Sequence, residues 1–232
     1  MTTSSRISDS SKGQVAVVFD LDGVLMMSEH LWEAGWSSVA AVHGVDWTGR
    51  DTDSCQGRSV PEWGTYLAQL AGIDAEAATT AVIDSVIAAH ERGEVTLIDG
   101  AYEMVAAAAA RVPVALASSA PRLIIDHVMA TTAVGPLFMA TISSEEVARG
   151  KPHPDVYRAA LARLGADPNR SFAVEDSSNG IRAAAAAGLG VFGLEHEQFP
   201  VAADARALTR EMFNAVPDVH SALVLALEAA LK

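Results

Sequence analysis

Five short apolar runs, alternating with helical patterns, constrain this chain more than any other feature. VAVVF (Val15 to Phe19), VPVALAS (Val112 to Ser118), LFMATI (Leu137 to Ile142), SFAVED (Ser171 to Asp176) and GVFGLE (Gly190 to Glu195) are rich in branched or aromatic residues. They lack polar alternation, which is how strands buried on both faces read. Helical patterns over Pro121 to Thr131, Pro154 to Leu164 and Asn179 to Ala187 lie between them, the last closed by Gly188 as a C-cap. Strand alternating with helix predicts an α/β fold, a parallel sheet covered by helices on both faces, with ligands at the carboxyl ends of the strands. The polar residues that end the strands are therefore the candidates for chemistry.

The alternation is interrupted between Ser28 and about Gly93. There the spacing predicts helices over Ser28 to His43, Pro61 to Ala71 and Asp74 to Arg92, joined by the loop DWTGRDTDSCQGRS, and no convincing strand. This reads as a helical domain inserted into the first: core 15–28 and 98–232, insertion 29–97, and a polar, Ser-rich, disordered tail over 1–14. All four tryptophans, Trp32, Trp36, Trp47 and Trp63, lie in or beside the insertion and are expected to build its aromatic core rather than stack on a substrate.

With 232 residues and 50% hydrophobic composition, the chain can bury a full core. A single cysteine, Cys55, excludes an internal disulfide framework, and no secretory apolar segment follows the start, so a cytoplasmic protein is expected. The apolar stretch MVAAAAARVPVALASSAP is broken by Arg111 and Pro113 before it could span a bilayer. The net charge of −13, with the 16 basic residues spread thinly, argues against a nucleic-acid partner. A small anionic ligand would need a local site of cations and backbone N–H groups.

The strand ends supply such a site. Asp20 and Asp22, two residues apart, could share a face, and Gly23 permits a sharp exit from the strand. Two carboxylates so close repel unless a cation sits between them or one holds a proton. The run ending at Ser118 and Ser119 opens into a helix whose free N–H groups suit a phosphate; Lys151 stands between glycine and proline in a loop; Glu175 and Asp176 end another run. Oxygen ligands of this kind suit Mg²⁺, which takes one or two carboxylates and a phosphate oxygen. The division of labour that follows makes Asp20 a nucleophile for a phosphoryl group, Asp22 a proton donor and then acceptor, and Ser118 with Lys151 the holders of the transferring oxygens.

DLDGV, the serine of ALASS, the lysine of RGKPHPD and the acids of VEDSSNG resemble, in order, the four motifs of the haloacid-dehalogenase-like (HAD) hydrolase superfamily. The insertion between the first two motifs resembles the helical cap of its subfamily I, which contains β-phosphoglucomutase, phosphoglycolate phosphatase and sugar-phosphate phosphatases. The resemblance implies a Rossmann-like core, Asp20 as nucleophile, Asp22 as acid/base whose backbone carbonyl also reaches Mg²⁺, Ser118, Ser119 and Lys151 as phosphate binders, and Asp176 with Glu175 as metal ligands. It implies a Mg²⁺-dependent phosphatase for a small phosphorylated metabolite such as a sugar phosphate; a phosphosugar mutase is the alternative. Asp22 argues against carbon–halogen cleavage, which proceeds without that acid in the family. Met27 stands where the subfamily commonly has an acid, which implies a more apolar pocket. Val60 follows Ser59 where the mutase branch tends to carry arginine. Arg58, with Arg50 and His30, is a candidate substrate contact from the cap or hinge, and the other histidines and Cys55 read as surface or packing residues.

Overall fold

All five apolar runs form strands, and a sixth joins them. In the computed structural model, which describes residues 13–232 except 57 and 198, β1 (Val17–Phe19), β2 (Val114–Ser118), β3 (Ala140–Ser143), β4 (Phe172–Glu175), β5 (Gly190–Leu194) and β6 (Thr209–Phe213) make one sheet. Its order is β3-β2-β1-β4-β5-β6 and every pairing is parallel. Val17 of β1 stands opposite Val114 on one side and Phe172 on the other. The expected tail over 1–14 lies outside the described residues except at its end, where Gln14 pairs with Ala166 in a single bridge.

Successive side chains of a strand enter different layers, so the uninterrupted apolar runs feed two cores. Val17 and Phe19 face one, with α5 (Ala101–Ala109), α6 (Arg122–Thr131) and α10 (Val216–Ala230). Ala16 and Val18 face the other, with α7 (Asp155–Leu164), α8 (Ser178–Ala186) and α9 (Ala203–Arg206). The third strand begins later than the run LFMATI suggests, because Gly135–Leu137 is taken up in a 3₁₀ turn.

Between β1 and α5 lie four helices: α1 (Glu29–Val42), α2 (Gly49–Cys55), α3 (Val60–Ala71) and α4 (Ala75–Glu91). Helical spacing accounts for their packing; α4 buries Ala78, Val82, Val86 and Ala89, one stripe at steps of three and four. Its start is fixed by Asp74, whose carboxylate accepts from the N–H groups of Glu76 and Ala77 at 2.9 and 3.1 Å. The short α2 lies inside the stretch read as a loop, and the capping box of Thr48 and Asp51 is the signal that marks it. The two chain crossings into and out of the inserted helices run side by side: Met26 bridges Leu97, and the N–H of Ile98 donates to Leu25 O at 2.8 Å. The tryptophans pack as expected, with ring centroids 6.0 to 6.3 Å apart. Their core is not separate, however: Trp32, Trp36 and Trp63 belong to the same apolar cluster as Val17 and Phe19. Among the described residues no helix is long and apolar enough to cross a membrane.

Candidate active site

Order reverses at β1, whose successor β2 lies on one side and β4 on the other, and such a switch opens a crevice at the carboxyl ends of the strands. Asp20 leaves β1 there with its N–H still donated to Val174 O at 3.1 Å, so the sheet holds its backbone. The chain then turns tightly, Gly23 N–H donating to Met26 O at 2.7 Å. Gly23 has φ +75, and a Cβ on it would lie 1.9 Å from Asp176 Oδ2. Glycine is required twice over, by conformation and by the approach of that carboxylate.

Lys151 answers the first part of the charge problem. Its ammonium is buried and donates to Asp20 Oδ1 at 2.8 Å and Glu175 Oε1 at 2.5 Å. Burial alone would lower its pKa, but the two carboxylates beside it push it above the ordinary lysine value. Glu175 is held further by Tyr157 OH at 2.7 Å, and its other oxygen accepts from the N–H groups of Asp176 and Ser177 at 3.0 and 3.1 Å. A Cβ at Gly180 would meet Glu175 Oε1 at 1.7 Å, so the glycine of VEDSSNG clears space for that side chain.

One lysine does not neutralise the acids gathered here. Asp20, Glu175 and Asp176 are all buried and offer oxygen atoms within 4.8 Å of one another. Burial, with Glu175 next and Lys151 opposing, pushes Asp20 up to about 8. Burial, then Glu175 and Asp20, pushes Asp176 well above the carboxylate range. Buried oxygens with surplus negative charge form a cluster able to coordinate a divalent metal ion, and hard cations with oxygen preference fit it. His196 adds a neighbour that sequence reading assigned to surface or packing: its Nε2 lies 2.6 Å from Gly23 O and 4.0 Å from Asp176 Oδ2. It follows β5, so the rule of inspecting strand ends points to it as well. Tyr157 lies in the first turn of α7, away from any strand end, and has no such signal.

Asp22 belongs to the crossing into the inserted helices. Its Oδ1 accepts from the Ser28 hydroxyl, and Trp32 Nε1 approaches it at 3.5 Å. Burial raises its pKa, the Ser28 and Trp32 contacts opposing. Ser118 ends β2 almost fully buried, with its Oγ accepting from Ala120 N–H at 3.0 Å, and the half-buried Ser119 follows.

A cavity of about 380 Å³ brings Asp20, Asp22, Ser118, Ser119, Lys151 and Asp176 together beneath α1 to α3. Glu175 lies behind it, and Arg58 is exposed at its edge. His30 and Arg50, also exposed, are outside its lining. The expected apolar character from Met27 is only half met: Trp32, Trp36 and Trp63 line the cap side, but so do Glu29, Glu33 and Asp53. Glu29, two residues beyond Met27, has its carboxyl pushed up to about 7 by burial and by Asp22. Cys55 reaches the cavity too, but burial pushes its thiol up to about 12, which excludes a thiolate nucleophile.

Known proteins resemble this chain in sequence and fold. Residues 15–188 match the model of the haloacid dehalogenase-like hydrolases. Validoxylamine A 7'-phosphate phosphatase of Streptomyces hygroscopicus subsp. limoneus is 32% identical, over 76% of this chain and 84% of its own. Hexitol phosphatase B of Escherichia coli K12 is 33% identical, over 75% of this chain and 80% of its own. The crystal structure of CbbY from Rhodobacter sphaeroides in complex with phosphate superposes with a TM-score of 0.78 at 25% identity, covering 89% of this chain and 96% of that one. Strand order, strand-end acids and family match converge: the chain belongs to the haloacid dehalogenase-like hydrolases.

Proposed function

We propose that this chain is a Mg²⁺-dependent phosphatase that hydrolyses a small sugar phosphate through an aspartyl phosphate on Asp20. The observation that carries the reading is that Asp20 and Asp22 line one cavity with different partners, Lys151 on the first and the Ser28 hydroxyl on the second. A carboxylate oxygen of Asp20 attacks phosphorus, the bond to the leaving oxygen breaks, and Asp22 gives that oxygen a proton. Its raised pKa suits it to hold one. Asp22 then draws a proton from the water that attacks the aspartyl phosphate, and phosphate leaves with Asp20 restored. Ser118 and Ser119 face the transferring oxygens, with Lys151 offsetting their charge; the opening of α6, expected to offer free N–H groups, does not, because the Arg122 N–H donates to Glu145 Oε2 at 2.8 Å.

Asp20, Asp176 and the backbone carbonyl of Asp22 would hold Mg²⁺, which supplies charge neutralisation at the phosphoryl oxygens when bound. Glu175 is better suited to fixing Lys151 than to ligation, because both its oxygens already accept from protein donors. The substrate class is supported by two of the relatives, a validoxylamine A 7'-phosphate phosphatase and a hexitol phosphatase, both of which act on phosphate esters of polyhydroxylated compounds. The helices of residues 29–97 act as a cap that chooses the leaving group and bars bulk water. The test is a Mg²⁺-dependent screen of sugar phosphates that follows free phosphate and phosphosugar isomers together. Phosphate release is expected; isomer conversion without it would assign a mutase instead.

Metal binding has its own signature. The folded state holds protons on Asp20 and Asp176 at pH values where the unfolded chain has lost them, so metal-free stability falls as pH rises from about 4 to about 8. Mg²⁺ competes with those protons. Saturating Mg²⁺ should therefore raise the melting temperature more near pH 8 than near pH 5. Equal shifts at both would refute binding at these carboxyls.

A further inference from the structure

We infer that His196, in the turn after β5, is a positioning residue for the reaction: its imidazole holds the tip of the turn that carries Asp22 and keeps that turn in place beside Asp176. The inference rests on the phosphatase reading, which gives the geometry of the turn a catalytic consequence. The turn runs from Asp20 to Met26. Inside it, Gly23 N–H donates to Met26 O at 2.7 Å and Leu25 N–H to Leu21 O at 2.8 Å. These bonds set its shape but not its orientation towards the rest of the core. Orientation comes from bonds that leave it: Asp20 N–H to Val174 O at the start, Ile98 N–H to Leu25 O near the end, and His196 Nε2 on Gly23 O at 2.6 Å. Of these three, only the last reaches the residue next to Asp22.

The chemistry of that bond fixes what His196 can do. A carbonyl oxygen only accepts, so Nε2 carries the hydrogen and donates it. A nitrogen engaged in this way has no lone pair for a metal ion, which makes His196 a support for the acidic cluster and not a ligand within it. Asp176 Oδ2 lies 4.0 Å from the same nitrogen, beyond hydrogen-bond length. The imidazole thus borders both pieces that Gly23 lets approach each other, the Asp22 turn and the Asp176 carboxylate.

His196 is itself held on several sides. Phe199 N–H donates to His196 O at 3.1 Å, and Glu195 N–H to Phe213 O on β6 at 2.8 Å. The Glu195 carboxylate pairs with Arg206, and Ala202 N–H donates to Ser178 Oγ at 2.8 Å, two residues past Asp176. Phe199 and Pro200 of the same segment line the cavity, so this support stands at the edge of the site. A side chain anchored in this way can keep its partner within the roughly 0.5 Å that a reacting group requires.

The test compares His196→Ala with His196→Gln, whose amide N–H can replace the Nε2 donor, in the full chain. Melting temperature is followed as Mg²⁺ is added without substrate, and kcat and KM are measured on p-nitrophenyl phosphate at saturating Mg²⁺. In His196→Ala the Mg²⁺ concentration at half of the shift should rise about tenfold and kcat should fall roughly 10- to 100-fold, with KM within about threefold of wild type. His196→Gln should recover most of both losses. A role in packing alone would lower the metal-free melting temperature of His196→Ala while its Mg²⁺ requirement and kcat stayed within about twofold, and that result would overturn the inference and leave the phosphatase standing. Equal losses in the two variants would overturn it as well, by making the ring and not its N–H the cause. A wild-type protein that hydrolyses no phosphate ester would overturn the phosphatase reading and this inference with it.

Discussion

Asp20→Asn lowers phosphate release by on the order of 10⁴-fold or more and leaves the protein at least as stable as before. The size of the loss follows from removing the attacking group, since a carboxamide cannot form the acyl phosphate; knock-outs of a nucleophile elsewhere cost up to about 10⁶-fold. The stability half comes from the electrostatics. Asp20 is buried beside Glu175 and its carboxyl is pushed up to about 8, which means that its charged form is disfavoured in the fold. Asparagine keeps the shape and an oxygen for Lys151 while removing that charge, and Lys151 keeps Glu175 at 2.5 Å. Phosphate release together with thermal melting checks both halves. Retained turnover would remove Asp20 from the role of nucleophile; a melting temperature lower by several degrees would mean that the carboxylate is a net stabiliser and that the site carries no surplus of negative charge.

The core elements were legible because their signals are local and strong. A parallel strand covered on both faces must be apolar along its length, and β1 and β5 are, as are β2 and β4 up to the Ser118 and Glu175 that end them. By contrast β6 is an edge strand, half-exposed along TREMF, and nothing in its composition separates it from a loop; only its pairing with β5 makes it a strand. The acids and the lysine could be found because strand ends converge on one crevice in this topology. What linear spacing could not give was the distance across the crevice. Lys151 and Asp20 are 131 positions apart and meet at 2.8 Å. The same gap explains Tyr157, on a helix face, and the unequal fates of Arg58, Arg50 and His30, of which only Arg58 reaches the cavity. Glu29 was hidden for a different reason: an acid in the first turn of a helix is common for dipole reasons alone.

Lys151→Met is the more damaging change to the fold, and the two carboxylates that it strands explain why. In the native protein a buried ammonium sits between Asp20 and Glu175. Taking one member from a buried ionic cluster leaves the others without compensation, typically at about 3–5 kcal/mol. For a chain of this size that is a fall in melting temperature of roughly 6–20 °C. The loss grows with pH. Lysine is one of the groups that hold the Asp20 carboxyl down, so without it that carboxyl rises further above its unfolded value. A group raised in this way favours the folded state at low pH and costs stability as pH climbs towards its folded pKa. The variant should therefore lie nearest to wild type at mildly acidic pH and furthest from it near pH 8. A double-mutant cycle isolates the cause: in the Asp20→Asn background the same Lys151→Met change should cost about 1–3 kcal/mol less, because one of the stranded charges has gone. Phosphate release is expected to be lost in both single variants and in the double. If the cost is the same in both backgrounds, Lys151 is held by Glu175 alone, and the contact with Asp20 contributes to neither the fold nor the positioning of the nucleophile.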